Sequence, residues 1–103
     1  MSDKYILDGK KAVPCNDLMK WAEWFETAER TVAKTKIADE ITVSTVFLSL
    51  NHNFGHGTPM LFETMVFGGP LDEQMERYST WEEAEQGHKR WVTAACRLND
   101  NYL

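Results

Sequence analysis

The sequence predicts an α+β domain: a mainly antiparallel sheet of about five strands with two amphipathic helices packed on one face. Three observations lead there. Two segments, 16–30 and 80–98, repeat their apolar residues with helical period. β-Branched and aromatic residues concentrate between them, as strands prefer. Finally, the strands come in runs, without the strand–helix–strand alternation that builds parallel sheets. At 103 residues the chain is one domain, spanning 1–103.

The elements follow in order. Tyr5-Ile6-Leu7 and Lys10-Lys11-Ala12-Val13 flank Asp8-Gly9, and Asp-Gly between short apolar runs signals a hairpin. Pro14 ends the second strand because it has no N–H to donate. Asn16 reads as a helix N-cap with Asp17 in the first turn, and the helix runs to about Arg30. Leu18, Trp21, Ala22, Trp24, Phe25 and Ala28 form its apolar stripe, with Glu29 intruding. A second hairpin joins Thr31–Ile37 to Ile41–Leu50 through Asp39-Glu40. The longer strand changes phase near Ser44-Thr45, which a bulge there or burial of both faces would explain. Residues 51–59 (NHNFGHGTP) form a loop. Met60–Phe67, apolar on both faces, is a central strand ended by Gly68-Gly69-Pro70. The stretch to Ser79 is a polar loop with room for a short helical turn. Thr80-Trp81-Glu82-Glu83 is a capping box that starts the last helix. Its stripe contains Trp81, Ala84, His88, Trp91, Val92, Ala95 and Leu98.

Composition narrows the function. A formal charge of -5 argues against general nucleic-acid binding, since phosphate backbones repel an acidic domain. No run approaches the ~20 apolar residues of a membrane span. The N-terminus lacks the apolar core of a secretion signal, and Cys15 and Cys96 fit no zinc or redox spacing. The expected setting is therefore the cytoplasm, with two reduced thiols or, as the alternative, one disulfide between them. Asp72, Glu73, Glu76, Glu82, Glu83 and Glu85 crowd one stretch, which is either a solvated face or a surface that imitates nucleic acid or docks on a basic partner.

Candidate chemistry rests on few residues. Glu63 sits in an apolar strand beside Leu61, Met65 and Phe67, so it needs a partner or an opening onto a pocket or interface. His88, mid-stripe on the last helix, is the partner to expect. The two would form a structural hydrogen bond or a general acid–base pair. His52, His56 and Glu63 are candidate metal ligands, although a spacing of four carries little meaning in a glycine-rich loop. His52, Phe54 and His56 are also candidate binding residues of that loop, alongside the acidic stretch. A nucleotide site would need a pocket beside Arg77, Lys89 or Arg90. Gly68-Gly69 lacks the GK[ST] of a phosphate loop, and no motif calls for a cofactor.

Three strings, TVFLSLNHNFG (45–55), LFETMVFGG (61–69) and YSTWEEAEQGH (78–88), resemble a family of short proteins of bacteriophages and prophages. YILDG and PCNDLMKWAEWFE look like the same family. In that pattern an Asp often precedes the first loop histidine; Asn51 stands here, which weakens any scheme with a carboxylate at that position. The resemblance brings a setting rather than an activity. It implies a small accessory protein of the host cytosol acting by binding. Such proteins block host nucleases, CRISPR effectors or other defence proteins, or sequester signalling nucleotides. The expected partners are a host or phage protein, or a second copy in a homo-oligomer. The alternative is a small metal- or nucleotide-binding domain using Glu63, His88 and the His52/His56 loop.

Overall fold

The computed structural model describes residues 3–53 and 57–102. Its elements are β1 (Tyr5–Asp8), β2 (Lys11–Pro14), α1 (Leu18–Thr27), β3 (Thr31–Ala38), β4 (Ile41–Phe47), β5 (Phe62–Phe67), β6 (Met75–Tyr78) and α2 (Trp81–Tyr102). The class is α+β and every strand pairing is antiparallel. Instead of one sheet of about five strands there are two. β1 and β2 form a hairpin sheet, and β3-β4-β5-β6 form a four-stranded meander.

Local geometry separates them. Ser49 adopts a left-handed backbone, φ 69, which turns the chain out of β4 before it can extend alongside β1. Among the described residues one bridge, Lys4 to Leu50, pairs backbone across the two regions, while Tyr5, Leu7 and Ala12 of the hairpin pack on the core of the larger sheet. The Ser49 carbonyl accepts from Tyr5 N at 2.8 Å and from Trp21 Nε1 at 3.2 Å, so this corner also anchors α1. The Ser49 hydroxyl is buried with no hydrogen-bond partner. A strained non-glycine residue and an orphaned hydroxyl at one position give a clear expectation. Ser49→Gly should stabilise the fold by about 1–2 kcal/mol, read as a higher urea midpoint at unchanged slope.

α1 starts one residue later than the sequence suggests. Asp17, not Asn16, is the N-cap, accepting from Met19 N at 3.0 Å and Lys20 N at 3.2 Å. It ends at Thr27 and buries no residue fully. It packs on β1 and reaches the main core through Trp24, whose ring meets Phe47 edge-on at 5.7 Å. Of the two helices expected on one face of the sheet, α2 lies across it, while α1 touches that face at Phe47 through Trp24. The capping box of α2 is present: Thr80 Oγ1 accepts from Glu83 N at 3.1 Å, and Thr80 N donates to Glu83 Oε1 at 3.2 Å. α2 crosses all four strands of the larger sheet.

β4 runs without a bulge. Ile41, Val43, Thr45 and Phe47 are buried toward α2, while Thr42, Ser44 and Val46 point the other way. The irregularities lie in β3, between Thr31 and Ala33 and between Lys36 and Ala38. Each bulge admits one extra residue, letting Val32 and Ile37 join the core that Ala33, Thr35 and Ala38 also face. β6 replaces the expected loop. The turn before it closes on Gly68, where a Cβ would collide with the Glu40 carbonyl and φ is 87. The core has two clusters, one around Phe47, Phe62 and Tyr78, the other around Ile41, Val43, Val66 and Ala95.

The molecule measures 50 × 30 × 19 Å. The short dimension suits one sheet and one helix layer, since a helix with its side chains is about 10 Å across. Among the described residues no third layer covers the far side of the sheet.

Candidate functional site

Two assemblies of polar and apolar side chains stand out, one on each side of the larger sheet. On the covered side, Thr45 and Thr64 occupy inward positions on β4 and β5, at 0% exposure. A buried hydroxyl needs a partner. α2 supplies His88, itself 5% exposed. Its Nδ1 lies 2.7 Å from Thr45 Oγ1 and its Nε2 2.8 Å from Thr35 Oγ1. Thr45 bonds Thr64. The Tyr78 hydroxyl lies 3.0 Å from both Thr64 Oγ1 and Glu76 Oε1. Arg90 Nη2 and Trp91 Nε1 each donate to Glu76 Oε1 at 3.1 Å.

Proton bookkeeping assigns a direction. An ionised carboxylate only accepts, so Tyr78 gives its one proton to Glu76. Thr64 must then donate to Tyr78, Thr45 to Thr64, and His88 Nδ1–H to Thr45. His88 Nε2 is left to accept from Thr35. Neutral His88 with its proton on Nδ1 satisfies the whole row. Burial pushes the His88 ring below the usual histidine range. Burial works against the Glu76 carboxylate too, but hydrogen bonds from Tyr78, Trp91 and Arg90 outweigh it and hold Glu76 below the usual carboxylate range. Burial, reinforced by the Glu76 carboxylate, raises the Tyr78 hydroxyl despite its bond with Thr64.

These shifts give stability a dependence on pH on the acid side. The unfolded His88 ring titrates near 6.5, above its folded value, so below pH 6.5 the unfolded chain holds more protons. The contribution is complete above that pH and shrinks as pH falls through it. Glu76 adds a second loss below its unfolded value of 4.5. Urea midpoints measured across this range should fall with acidity in two stages. His88→Leu should remove the upper one.

Glu63 is on the opposite face. It sits across from Val46 on β4 and Arg77 on β6, and Arg77 Nε donates to its Oε2 at 3.0 Å. Glu63 and His88 therefore do not meet, and the expected acid–base pair is replaced by a surface-side ion pair. The physical reason is strand parity: Phe62, Thr64 and Val66 face α2, so Glu63, Met65 and Phe67 cannot. Leu61 is the exception to that parity, being buried in the core just before β5 begins.

The loop residues are placed only in part. Asn51 Oδ1 accepts from Asn53 N at 2.8 Å and Met60 N at 3.0 Å, closing the base of the loop, and His52 N donates to Met60 O at 3.0 Å. Phe54 and His56 lie outside the described residues. Among the described residues no three His, Cys, Asp or Glu side chains gather where a metal could bind. No disulfide joins Cys15 to Cys96.

The acidic stretch is divided among separate structural tasks. Asp72 accepts from Gly68 N at 2.6 Å in the β5–β6 turn. Glu73 takes a left-handed backbone in that turn, φ 70. Glu76 ends the polar row, while Glu82 and Glu83 occupy the first turn of α2, where the helix dipole favours anions. Asp72 and Glu73 lie at one end of β6, and Glu82 and Glu83 follow its other end. Of the candidate nucleotide-site cations, Arg77 and Arg90 are already bound to Glu63 and Glu76.

The uncovered face of the sheet is the feature that the sequence reading only touched. Register places its residues in three rows. Lys36, Thr42 and Phe67 form the first; Lys34, Ser44, Met65 and Met75 the second; Thr31, Val46, Glu63 and Arg77 the third. Phe67 is 49% and Met75 42% exposed. The period-2 alternation of Glu63, Met65 and Phe67 was the available signal. Lys34 and Lys36 gave another, as alternate charged residues in a strand mark a solvent side. Among the described residues no helix is long and apolar enough to cross a membrane. Searches against protein-family models, curated proteins and solved structures return no match to this chain.

Proposed function

We propose that this chain is a small binding protein of the phage accessory kind, without catalysis of its own, that holds a macromolecular partner on the uncovered face of its four-stranded sheet. One observation carries the reading: an antiparallel sheet face with exposed Phe67 and Met75 beside Met65 and Val46, and no layer over it among the described residues. Apolar side chains grouped on a surface and rimmed by charge are the usual form of a protein contact. Absence of catalysis is supported by the chemistry of the two best candidates. Both ring nitrogens of His88 are committed to threonine hydroxyls, and Glu63 is neutralised by Arg77 on the other face. The phage-like wording of the sequence makes host defence proteins the first partners to try, with inhibition the role to assay.

The test is affinity capture from host lysate, comparing the native chain with Phe67→Asp. Phe67 is half exposed, so the substitution should leave the circular dichroism spectrum intact. A partner retained by the native chain and lost on the variant is the expected result. Equal retention by both would remove the sheet face from the reading.

A further inference from the structure

The charges on the uncovered face specify its partner further. The chain carries a formal net charge of -5, yet this face presents Lys34, Lys36 and Arg77 against a single acid, Glu63. Arg77 and Glu63 cancel each other through their 3.0 Å ion pair. Lys34 and Lys36 remain, both exposed, one row apart on β3. They flank the apolar column: Lys36 shares a row with Phe67, and Lys34 shares one with Met65 and Met75. At the Phe67 end the face is bounded by the turns that carry Asp39, Glu40, Asp72 and Glu73.

Building on the proposed binding role, we infer that the face takes an acidic polypeptide surface, one that sets aromatic or aliphatic side chains on Phe67, Met65 and Met75 and carboxylates along Lys34 and Lys36 of β3. Complementary potentials select such a partner and raise its rate of encounter. A second copy of this chain fits poorly. Stacked on itself with the two-fold along the strands, the face sets Lys34 against Met75; with the two-fold across the strands it sets Lys34 against Lys34 and Lys36 against Thr31, and the one acid within the three rows, Glu63, is already paired. A single-stranded nucleic acid shares the attraction to lysine, but Phe67 is the only aromatic side chain on the three rows, where base stacking uses successive aromatic platforms. The acidic turns set the footprint: a partner's carboxylates must lie over the middle of β3, not past its Ala38 end.

The experiment selects from a random linear-peptide library displayed against the purified full chain, with mixed-sequence single-stranded DNA as a parallel probe. Enriched peptides should be net acidic and contain aromatic or aliphatic residues. Their affinity should fall about tenfold on Lys34→Glu/Lys36→Glu and again on Phe67→Ala, and should weaken with added salt. Neutral or basic peptides that are still lost on Phe67→Ala would overturn the acidic chemistry while keeping the face as a docking site. Peptides indifferent to Phe67→Ala would overturn both. DNA binding that depends on the same residues, or no enrichment at all, also overturns the inference. Lys34 and Lys36 are exposed, so their charge reversal tests recognition rather than folding.

Discussion

Gly87→Ala should destabilise the fold by about 3 kcal/mol and lower its melting temperature by roughly 15 °C. The substitution would ordinarily help, because alanine is favoured over glycine within a helix by up to ~1 kcal/mol. Here a Cβ on Gly87 would overlap the ring carbons and hydroxyl of Tyr78. The glycine lets the Tyr78 side chain pass directly beneath α2, so that its hydroxyl reaches Thr64 and Glu76. Inserting a methyl group must push the helix off the sheet or swing Tyr78 away, breaking the middle of the polar row in either case. Gln86→Ala, one residue earlier on the exposed side of α2, should change stability by less than about 0.5 kcal/mol and controls for helix propensity. Thermal melts of the two variants decide it. A neutral or stabilised Gly87→Ala would mean that Tyr78 does not run under the helix.

His88→Ala should cost about 3–4 kcal/mol by urea denaturation. It leaves a cavity in the wall of the core, strips the Thr35 hydroxyl of its His88 partner and takes from the Thr45 hydroxyl one of its two bonds, leaving that to Thr64. The asymmetry of buried hydrogen bonds supplies a sharper version. Thr45→Val alone leaves His88 Nδ1–H and the Thr64 oxygen short of partners, for about 1–3 kcal/mol. In Thr45→Val/Thr64→Val the second hydroxyl goes as well, so the double variant should cost clearly less than the sum of the singles. Additive losses would show that the side chains act separately rather than as one row.

Much of the architecture was legible where local chemistry leaves little choice. The Thr80–Glu83 capping box, the hairpin around Gly9 and the central position of β5 all follow from residues close in sequence. β6 was not legible. Met75-Glu76-Arg77-Tyr78 is short, half charged and free of β-branched residues, and its strand form comes from pairing with β5 and from contacts that Glu76 and Tyr78 make elsewhere. The Glu63–His88 pairing misled for a related reason. Met65 and Phe67 make the Glu63 side of β5 look like core, because an uncovered apolar face and a covered one have the same sequence pattern. The correct partner had its own signal. Thr45 shares the parity of Ile41, Val43 and Phe47, and a hydroxyl in that buried series asks for a polar group on the covering helix. Only His88 lies mid-stripe there to provide one.

The light attachment of α1 has a consequence for how the chain breathes. With no fully buried residue, and held among the described residues by its contacts with β1, the packing of Trp24 on the Phe47 cluster and the Trp21–Ser49 bond, it can detach at a small fraction of the global unfolding free energy. Its amide protons therefore exchange with solvent through local opening, ahead of those in β4 and β5. Proteases would find their first cut at this end of the molecule while the meander and α2 stay folded.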